Sequence, residues 1–316
     1  MNTLGVTQNY IEFPVTLRYM DFKIVKTIEA KESSRVLCVK YLLNNKHYLM
    51  KEMDYKTFEK GIVRELKNSF NISHPYIATF YGYFIHGNMF ITIWEYIDGV
   101  DLYVYIKTKR IMTESIVTVI LSRIIHALHY LHSLNISHRD VKPENIILKN
   151  TKEHEMTVKL VDFGLSLDQK VERATSIVGT FDYMAPEIFS AHEYDATKVD
   201  VWSLGILTFE LLHGYPPFQS ISKSESMKKR IEFDYICAPT LSAAAKDFMS
   251  RCISPELSRV SLNELIKHPF IKNELVSADR PRFNLLSTND ISKYHCLFQK
   301  NPQFFSPKSK FLIFLE

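Results

Sequence analysis

His138-Arg139-Asp140-Val141-Lys142-Pro143-Glu144-Asn145 is the stretch on which the reading of this chain turns. It follows a long amphipathic segment, from about Glu114 to Leu134, opened by Thr113 with Glu114. The apolar positions Ile116, Ile120, Ile124, Leu128 and Leu131 recur there at helical spacing and predict a helix with one buried face. Seventeen residues after Asn145 stands Asp162-Phe163-Gly164, and further on Ala185-Pro186-Glu187. A lone aspartate in a loop is normally a turn or a helix cap. Three separated motifs in this order and at this spacing outweigh that reading.

Upstream of the octapeptide the pattern favours strands. FKIVKTI, RVLCVKYLL and KHYLMKEM fill the span from Phe22 to about Met53, with Asn44-Asn45-Lys46 as a turn. Residues 56–70 predict a helix carrying Phe58, Ile62, Leu66 and Phe70 at four-residue intervals. Two further strands, about Ile77–Ile85 and Met89–Trp94, are joined by the hairpin signal His86-Gly87-Asn88. Downstream, polar loops and short strands are expected over 135–182. Residues 198–213 form a nearly all-apolar helix that belongs in a core. More helices are expected to Phe270.

Length and composition bound the function. A chain of 316 residues is long enough to bury a core without disulfides or metals. Hydrophobic residues at 46% and charged residues at 23% exclude a wholly disordered chain. A net charge of +4 gives no reason to expect a nucleic-acid partner. No apolar run reaches 18 residues, so no membrane-spanning helix is expected. MNTLGVTQNY has no basic region followed by an apolar core, position 2 is Asn2 rather than glycine, and the last residues carry no prenylation motif, so no signal peptide or lipid anchor is expected. Cys38, Cys237, Cys252 and Cys296 lack zinc or redox spacing, and four free thiols suit a reducing compartment, cytoplasmic or nuclear.

The ordered motifs resemble the eukaryotic protein kinase family, serine/threonine type, over about residues 20–271. The resemblance implies an α+β, two-lobed fold. A small antiparallel-sheet lobe with one main helix would occupy 20–96 and a larger, mostly helical lobe 97–271. Residues 1–19 would be a lead-in and 272–316 a C-terminal tail. The implied cofactors are ATP and Mg2+, and the implied partners are protein substrates. Asp140 would accept the substrate hydroxyl proton and Lys142 would reach the γ-phosphate, while Asn145 and Asp162 would hold the metal. Lys51 matches the strand lysine that binds the α- and β-phosphates, with Glu65 as its partner. Ile28, Val36, Glu95 and Ile97 fall at positions that frame the nucleotide. Lys142 with Thr180 resembles serine/threonine rather than tyrosine kinases. Asp200 matches the aspartate that brace the catalytic loop in this family, and Glu187 is expected to pair with Arg259.

Regulation and specificity follow from the same resemblance. Tyr81-Gly82-Tyr83-Phe84, Thr175-Ser176-Ile177-Val178-Gly179-Thr180 and Tyr183 look like the Aurora group of mitotic kinases, which implies a cell-cycle or signalling role. Gly214-Tyr215-Pro216-Pro217-Phe218 is shared with the cAMP-dependent and calmodulin-dependent groups. Ser176, or else Thr175, matches an activating phosphorylation site, and Arg139 with Lys159 is expected to form the cationic pocket for that phosphate. Asp101, Glu144 and Glu210 match positions that face the peptide groove and would favour basic substrates. The tail, with Phe304-Phe305-Ser306-Pro307 and Phe311-Leu312-Ile313-Phe314, is expected to dock on the small lobe or on a regulatory protein partner, or to be a frayed terminus.

One part departs from the family. The phosphate-covering loop should lie between Ile28 and Val36, but Glu29-Ala30-Lys31-Glu32-Ser33-Ser34-Arg35 contains no glycine. The chain has only nine glycines, about 3% against a usual ~7%. Glycine lets backbone N–H groups approach a phosphate closely. Leu49 stands where a small alanine usually covers the adenine, and Trp94 stands just before the hinge Glu95-Tyr96-Ile97. These departures support a rival reading, a pseudokinase acting as a scaffold or allosteric partner. The retention of Lys51, Glu65, Asp140, Asn145 and Asp162 favours the enzyme.

Overall fold

The computed structural model describes residues 17–57, 65–66, 68–69, 72–149, 156–190 and 192–271. The expected tail, most of the lead-in, and the middle of the helix expected over 56–70 lie outside the described residues. The described residues divide into two compact units. The first comprises residues 17–54 and 81–93, the second 55–80 and 94–271.

The first unit is built on β1 (Phe22–Ala30), β2 (Ser34–Tyr41), β3 (His47–Asp54), β4 (Phe80–His86) and β5 (Met89–Glu95), in the spatial order β1-β2-β3-β5-β4. Side chains alternate across a strand, so each register pair belongs to one face. Leu37↔Met50 and Val39↔Tyr48 share a face and pack with Phe22, Tyr41, Phe84, Ile91 and Ile93 into an apolar core. Val36↔Lys51 and Cys38↔Leu49 share the opposite face. The predicted turn forms, with Asn45 at φ 61 and the Asn44 side chain accepting from the Lys46 N–H at 2.9 Å. β4 starts at Phe80, later than the apolar pattern suggests. Ile77 is drawn instead into a parallel bridge with Leu160 of the second unit's own strand.

The second unit is mostly helical. Its helices with defined bounds among the described residues include α1 (Leu102–Lys109), α2 (Glu114–Ser133), α3 (Glu187–Ser190), α4 (Ala196–His213), α5 (Lys223–Ile231), α6 (Ala243–Cys252) and α7 (Leu262–Leu265). α4 is the all-apolar helix read from the sequence, and it packs against both α2 and α6. Asp195 caps its first turn through the Thr197 N–H, and Gly214 ends it in the left-handed region at φ 83. Gly205 is required by packing, because a Cβ there would sit 2.6 Å from Cys252 Cβ. α2 is long and apolar enough on average to cross a membrane, which a search for an unbroken apolar run does not reveal. Here its apolar side, including Ile120, Leu121, Ile124 and Leu128, is buried in the unit.

Two small sheets position the motif loops. β6 (Val100–Asp101), β8 (Ile146–Lys149) and β9 (Thr157–Leu160) form one, in the order β6-β8-β9. β7 (Ile136–Ser137) pairs with β10 (Leu167–Asp168) in the other. The octapeptide runs from β7 to β8, and the Asp162 turn runs from β9 to β10. Because β8 pairs with β9 and β7 with β10, both loops span the same two sheets, running in opposite directions between them.

Burial of a titratable group gives this unit an acid weakness. His74 is 7% exposed, its Nδ1 accepts from the Tyr76 N–H at 3.2 Å, and its ring stacks on Tyr130. Burial, helped by neighbouring His126 and Lys159, lowers its pKa from 6.5 to about 4. The unfolded chain therefore binds this proton at a higher pH than the folded one. Stability is present above pH 6.5 and is lost as the pH falls toward 4. Denaturant titrations across that range should show a falling midpoint, and His74→Asn should flatten part of the slope. An unchanged slope in the variant would remove His74 as the cause.

Candidate active site

Asp140 is held by three partners from two directions. Its Oδ2 lies 2.8 Å from Lys142 Nζ and accepts from Asn145 Nδ2 at 2.9 Å. Its Oδ1 accepts from the Thr180 N–H at 3.1 Å and the Thr180 hydroxyl at 2.9 Å. Lys142 also donates to Thr180 Oγ1 at 2.8 Å, which closes the group into a ring. Asn145 spends its amide N–H groups on the carboxylate and carbonyl of Asp140. That orients its side-chain oxygen away from Asp140. The two loops are stitched by Val161 N–H to Asn145 O at 2.9 Å and by His138 Nε2 to Val161 O at 3.1 Å. Asp162, exposed at the turn, is thereby tied to Asn145 through its neighbour Val161.

This arrangement contains backbone strain and a brace that offsets it. Arg139 and Asp162 take φ of 63 and 65, where a side chain is disfavoured. Such a residue costs of order ~1–3 kcal/mol. Asp200, fully buried on α4, accepts from the His138 N–H at 2.9 Å and the Arg139 N–H at 2.7 Å, and contacts His132 Nε2 at 2.8 Å. Hydrogen bonds to a charged group contribute about 1.5–3 kcal/mol each, so two of them outweigh the strain at Arg139. Gly179 lets the segment before Thr180 pass close to this loop. Its φ is 116, and a Cβ would meet Arg139 O at 3.0 Å.

The expected Glu187–Arg259 pair forms, bidentate at 2.5 and 3.1 Å, with Arg259 also over the Trp202 ring. Both are buried, and removal of one partner from such a pair costs about 3–5 kcal/mol. Trp94 is buried against Phe80, with ring centroids 4.8 Å apart, and lies parallel to Phe163 at 6.3 Å. Its bulk is thus used to pack the Phe163 ring, which in turn meets His138 edge-on at 5.2 Å.

Lys159 corrects an expectation. Its amine lies 2.8 Å from Glu95 Oε2 and donates to Ile77 O at 3.2 Å, while Arg139 Nε donates to Leu165 O at 2.7 Å. The two cations serve different partners, and the pair does not form a shared pocket. The reason is strand alternation: Val158 and Leu160 of β9 point into the core, which turns Lys159 to the side where Glu95 supplies a counter-charge. Glu95 Oε2 also accepts from Thr79 N and Oγ1, both at 3.1 Å. No spacing in the sequence linked Lys159 to Glu95.

The remaining candidates are distributed as follows. Lys51, Ile28, Val36 and Leu49 lie in the first unit, while Glu65 is buried in a helical stretch of the second. Ile97 is half-buried. Thr175 and Ser176 are exposed, and Ser176 O accepts from Tyr194 OH at 2.8 Å. Asp101 caps α1, accepting from the Val104 N–H at 2.7 Å. Glu144 is exposed, whereas Glu210 is buried and accepts from the Tyr183 hydroxyl. Burial first, then Glu144 and Asp182, push the Glu210 carboxyl up, with the Tyr183 hydrogen bond opposing. Burial and Glu210 push the Tyr183 hydroxyl up in turn. The His132–Asp200 and Tyr183–Glu210 contacts were not legible in the sequence, because neither follows a local spacing.

The family model of the protein kinase domain matches residues 22–271. The chain belongs to the protein kinase family, on its Aurora-like serine/threonine branch. It is 36% identical over 276 residues to an Aurora kinase of Debaryomyces hansenii, across 83% of this chain and 65% of that protein. It is 34% identical over 263 residues to an Aurora kinase of Eremothecium gossypii, across 81% and 70%. The serine/threonine-protein kinase Aurora-1 of Arabidopsis thaliana is 32% identical over 244 residues, across 76% and 79%. The chain thus spans just under two thirds of the first of these proteins. The family and the α+β fold class expected from the motifs are borne out.

Proposed function

We propose that the chain transfers the γ-phosphate of ATP to serine or threonine hydroxyls of protein substrates. The observation that carries this is the ring of Lys142, Asn145 and Thr180 around the Asp140 carboxylate. Phosphoryl transfer needs mainly positioning and charge neutralisation, and a fixed carboxylate beside a fixed ammonium supplies both. Each Asp140 oxygen already accepts two contacts, so a substrate hydroxyl takes the place of the Thr180 hydroxyl on Oδ1, where the carboxylate orients it and takes its proton. Lys142 stabilises charge on the transferred group. The family resemblance assigns Lys51 and Glu65 to the remaining phosphates, and Ile28, Val36, Glu95 and Ile97 to the base.

The donor chemistry suits Mg2+. This ion prefers oxygen ligands and is usually bound by one or two protein groups together with substrate phosphates. Asp162 and Asn145 offer a carboxylate and an amide oxygen, and no cluster of three or more ligating side chains occurs among the described residues. When bound, Mg2+–ATP supplies the phosphoryl group and offsets its charge. The glycine-free loop, Leu49 and Trp94 do not remove any of these groups. The relatives lend the pseudokinase alternative no support. Single-turnover transfer from labelled ATP tests the enzyme reading. Asp140→Asn keeps the shape but loses the base, and transfer should fall at least ~100-fold. If the purified chain phosphorylates no peptide, and binds nucleotide no better than Asp162→Ala, the reading is wrong.

Two finer features belong to the same reading. Phosphorylation at Ser176, or at Thr175, activates the chain, with Arg139 as the cation that the family resemblance assigns to the phosphate. Substrates are basic, drawn by Asp101, Glu144 and Glu210, although Asp101 also caps α1 and Glu210 is shared with Tyr183. A cell-cycle or signalling role, and a regulatory protein partner for the tail, accord with the Aurora-like relatives. A peptide library with arginine varied before the phosphoacceptor checks the preference. Loss of arginine should raise the Michaelis constant, and less so in Glu144→Ala. The same library run after alanine replaces both Thr175 and Ser176 should show reduced turnover. A proline-directed or acidic preference, or full activity in the double variant, would sink the corresponding feature.

A further inference from the structure

The glycine-free hairpin is fastened at its mouth. Glu52 follows Lys51 on β3 and is 1% exposed, on the face that also carries Met50. Arg35, its register partner on β2, places Nε 2.7 Å and Nη2 2.6 Å from Glu52 Oε2. The Tyr19 hydroxyl donates to Glu52 Oε1 at 2.8 Å, and the Tyr19 ring stacks on His86 at 4.6 Å. Both carboxylate oxygens are therefore occupied, which a buried charge requires. The backbone adds two ties: Asp54 N–H to Ser33 O at 2.9 Å, and Lys31 N–H to Ser34 O at 2.8 Å. At the tip, Lys31 pairs with Glu29 at 2.7 Å, so the acidic residue has a local counter-charge.

We propose that Glu52 is the positioning residue of this hairpin. By clamping Arg35 and Tyr19 it fixes residues 29–36, so that a loop without glycine presents a set surface to the polyphosphate. Glycine loops gain contact through backbone freedom. This one avoids the ordering entropy instead, because it is held before nucleotide arrives. The inference rests on the kinase reading for its ligand and on the first unit's own geometry for the clamp.

The test uses the full chain. Arg35→Met keeps the aliphatic stem of a half-exposed residue and removes the charge but leaves the Glu52 carboxylate without its cation, so Arg35→Met combined with Glu52→Gln, which removes both charges, is measured beside it as the control for stability. Glu52→Gln and Tyr19→Phe are the companion variants. Amide hydrogen exchange over residues 29–36 should quicken in Arg35→Met and Glu52→Gln, and less in Tyr19→Phe. The Michaelis constant for ATP should rise at least about five-fold, while turnover at saturating ATP stays within about two-fold, the pattern of lost positioning in the nucleotide step alone. A merely structural role would lower the thermal midpoint and leave the Michaelis constant unmoved. Unchanged exchange and an unchanged Michaelis constant in Arg35→Met would overturn the proposal. An inactive native chain would contradict the kinase reading, and exchange over 29–36 would then still decide the clamp.

Discussion

The buried carboxylate of Asp200 is the constraint on which the second unit depends. It receives two consecutive backbone N–H groups, those of His138 and Arg139, and the His132 ring. Consecutive amides point to one acceptor only when the chain is bent between them, which is why Arg139 sits at positive φ. From that bend the rest follows. Asp140 emerges beside Lys142, Asn145 folds back onto it, and His138 meets both Val161 and Phe163. Helix α4 is apolar on all sides because it must carry this carboxylate into the middle of the unit. The Glu187–Arg259 pair secures the segment beyond Thr180 in a similar way, with both oxygens bound.

Much of this was legible in the sequence, for identifiable reasons. Strand alternation located β1 to β3, and all-round apolarity located α4. The octapeptide with Asp162-Phe163-Gly164 named the chemistry, because those residues act as a set at fixed spacing. The illegible part consists of contacts that join distant segments without a local pattern. Lys159 reads as a basic residue near the Asp162 turn, yet its strand parity aims it at Glu95. Ile77 reads as the start of a strand, yet its backbone is claimed by Leu160. Glu210 reads as an acidic groove residue, yet burial and Tyr183 give it a second occupation. Glu52 carries no signal in isolation, since a glutamate on a strand is ordinarily solvated.

Under the proposed function, the departures from the family pattern concern how a nucleotide is covered, and the retained residues concern what is done to it. Trp94 illustrates the difference. Read as a bulky residue before the hinge, it is an obstruction; packed on Phe163 and Phe80, it supports the turn that bears Asp162. Glycine is likewise retained where geometry leaves no alternative. Gly179 passes against Arg139, and Gly205 lets α6 approach α4. The scarcity of glycine in this chain therefore falls on the covering hairpin and spares the catalytic frame.

The most direct test of this account is the turnover of Asp200→Asn at saturating ATP, measured beside its nucleotide affinity. The amide turns one of the two acceptor oxygens into a donor that faces a backbone N–H, so the bend at Arg139 loses half its brace while the residue volume is kept. A misplacement of about 1 Å at the reacting groups costs on the order of 100-fold in rate. The account predicts a loss of that size in turnover with nucleotide affinity nearly unchanged, since Lys51 and the hinge are untouched. Native turnover in Asp200→Asn would contradict it.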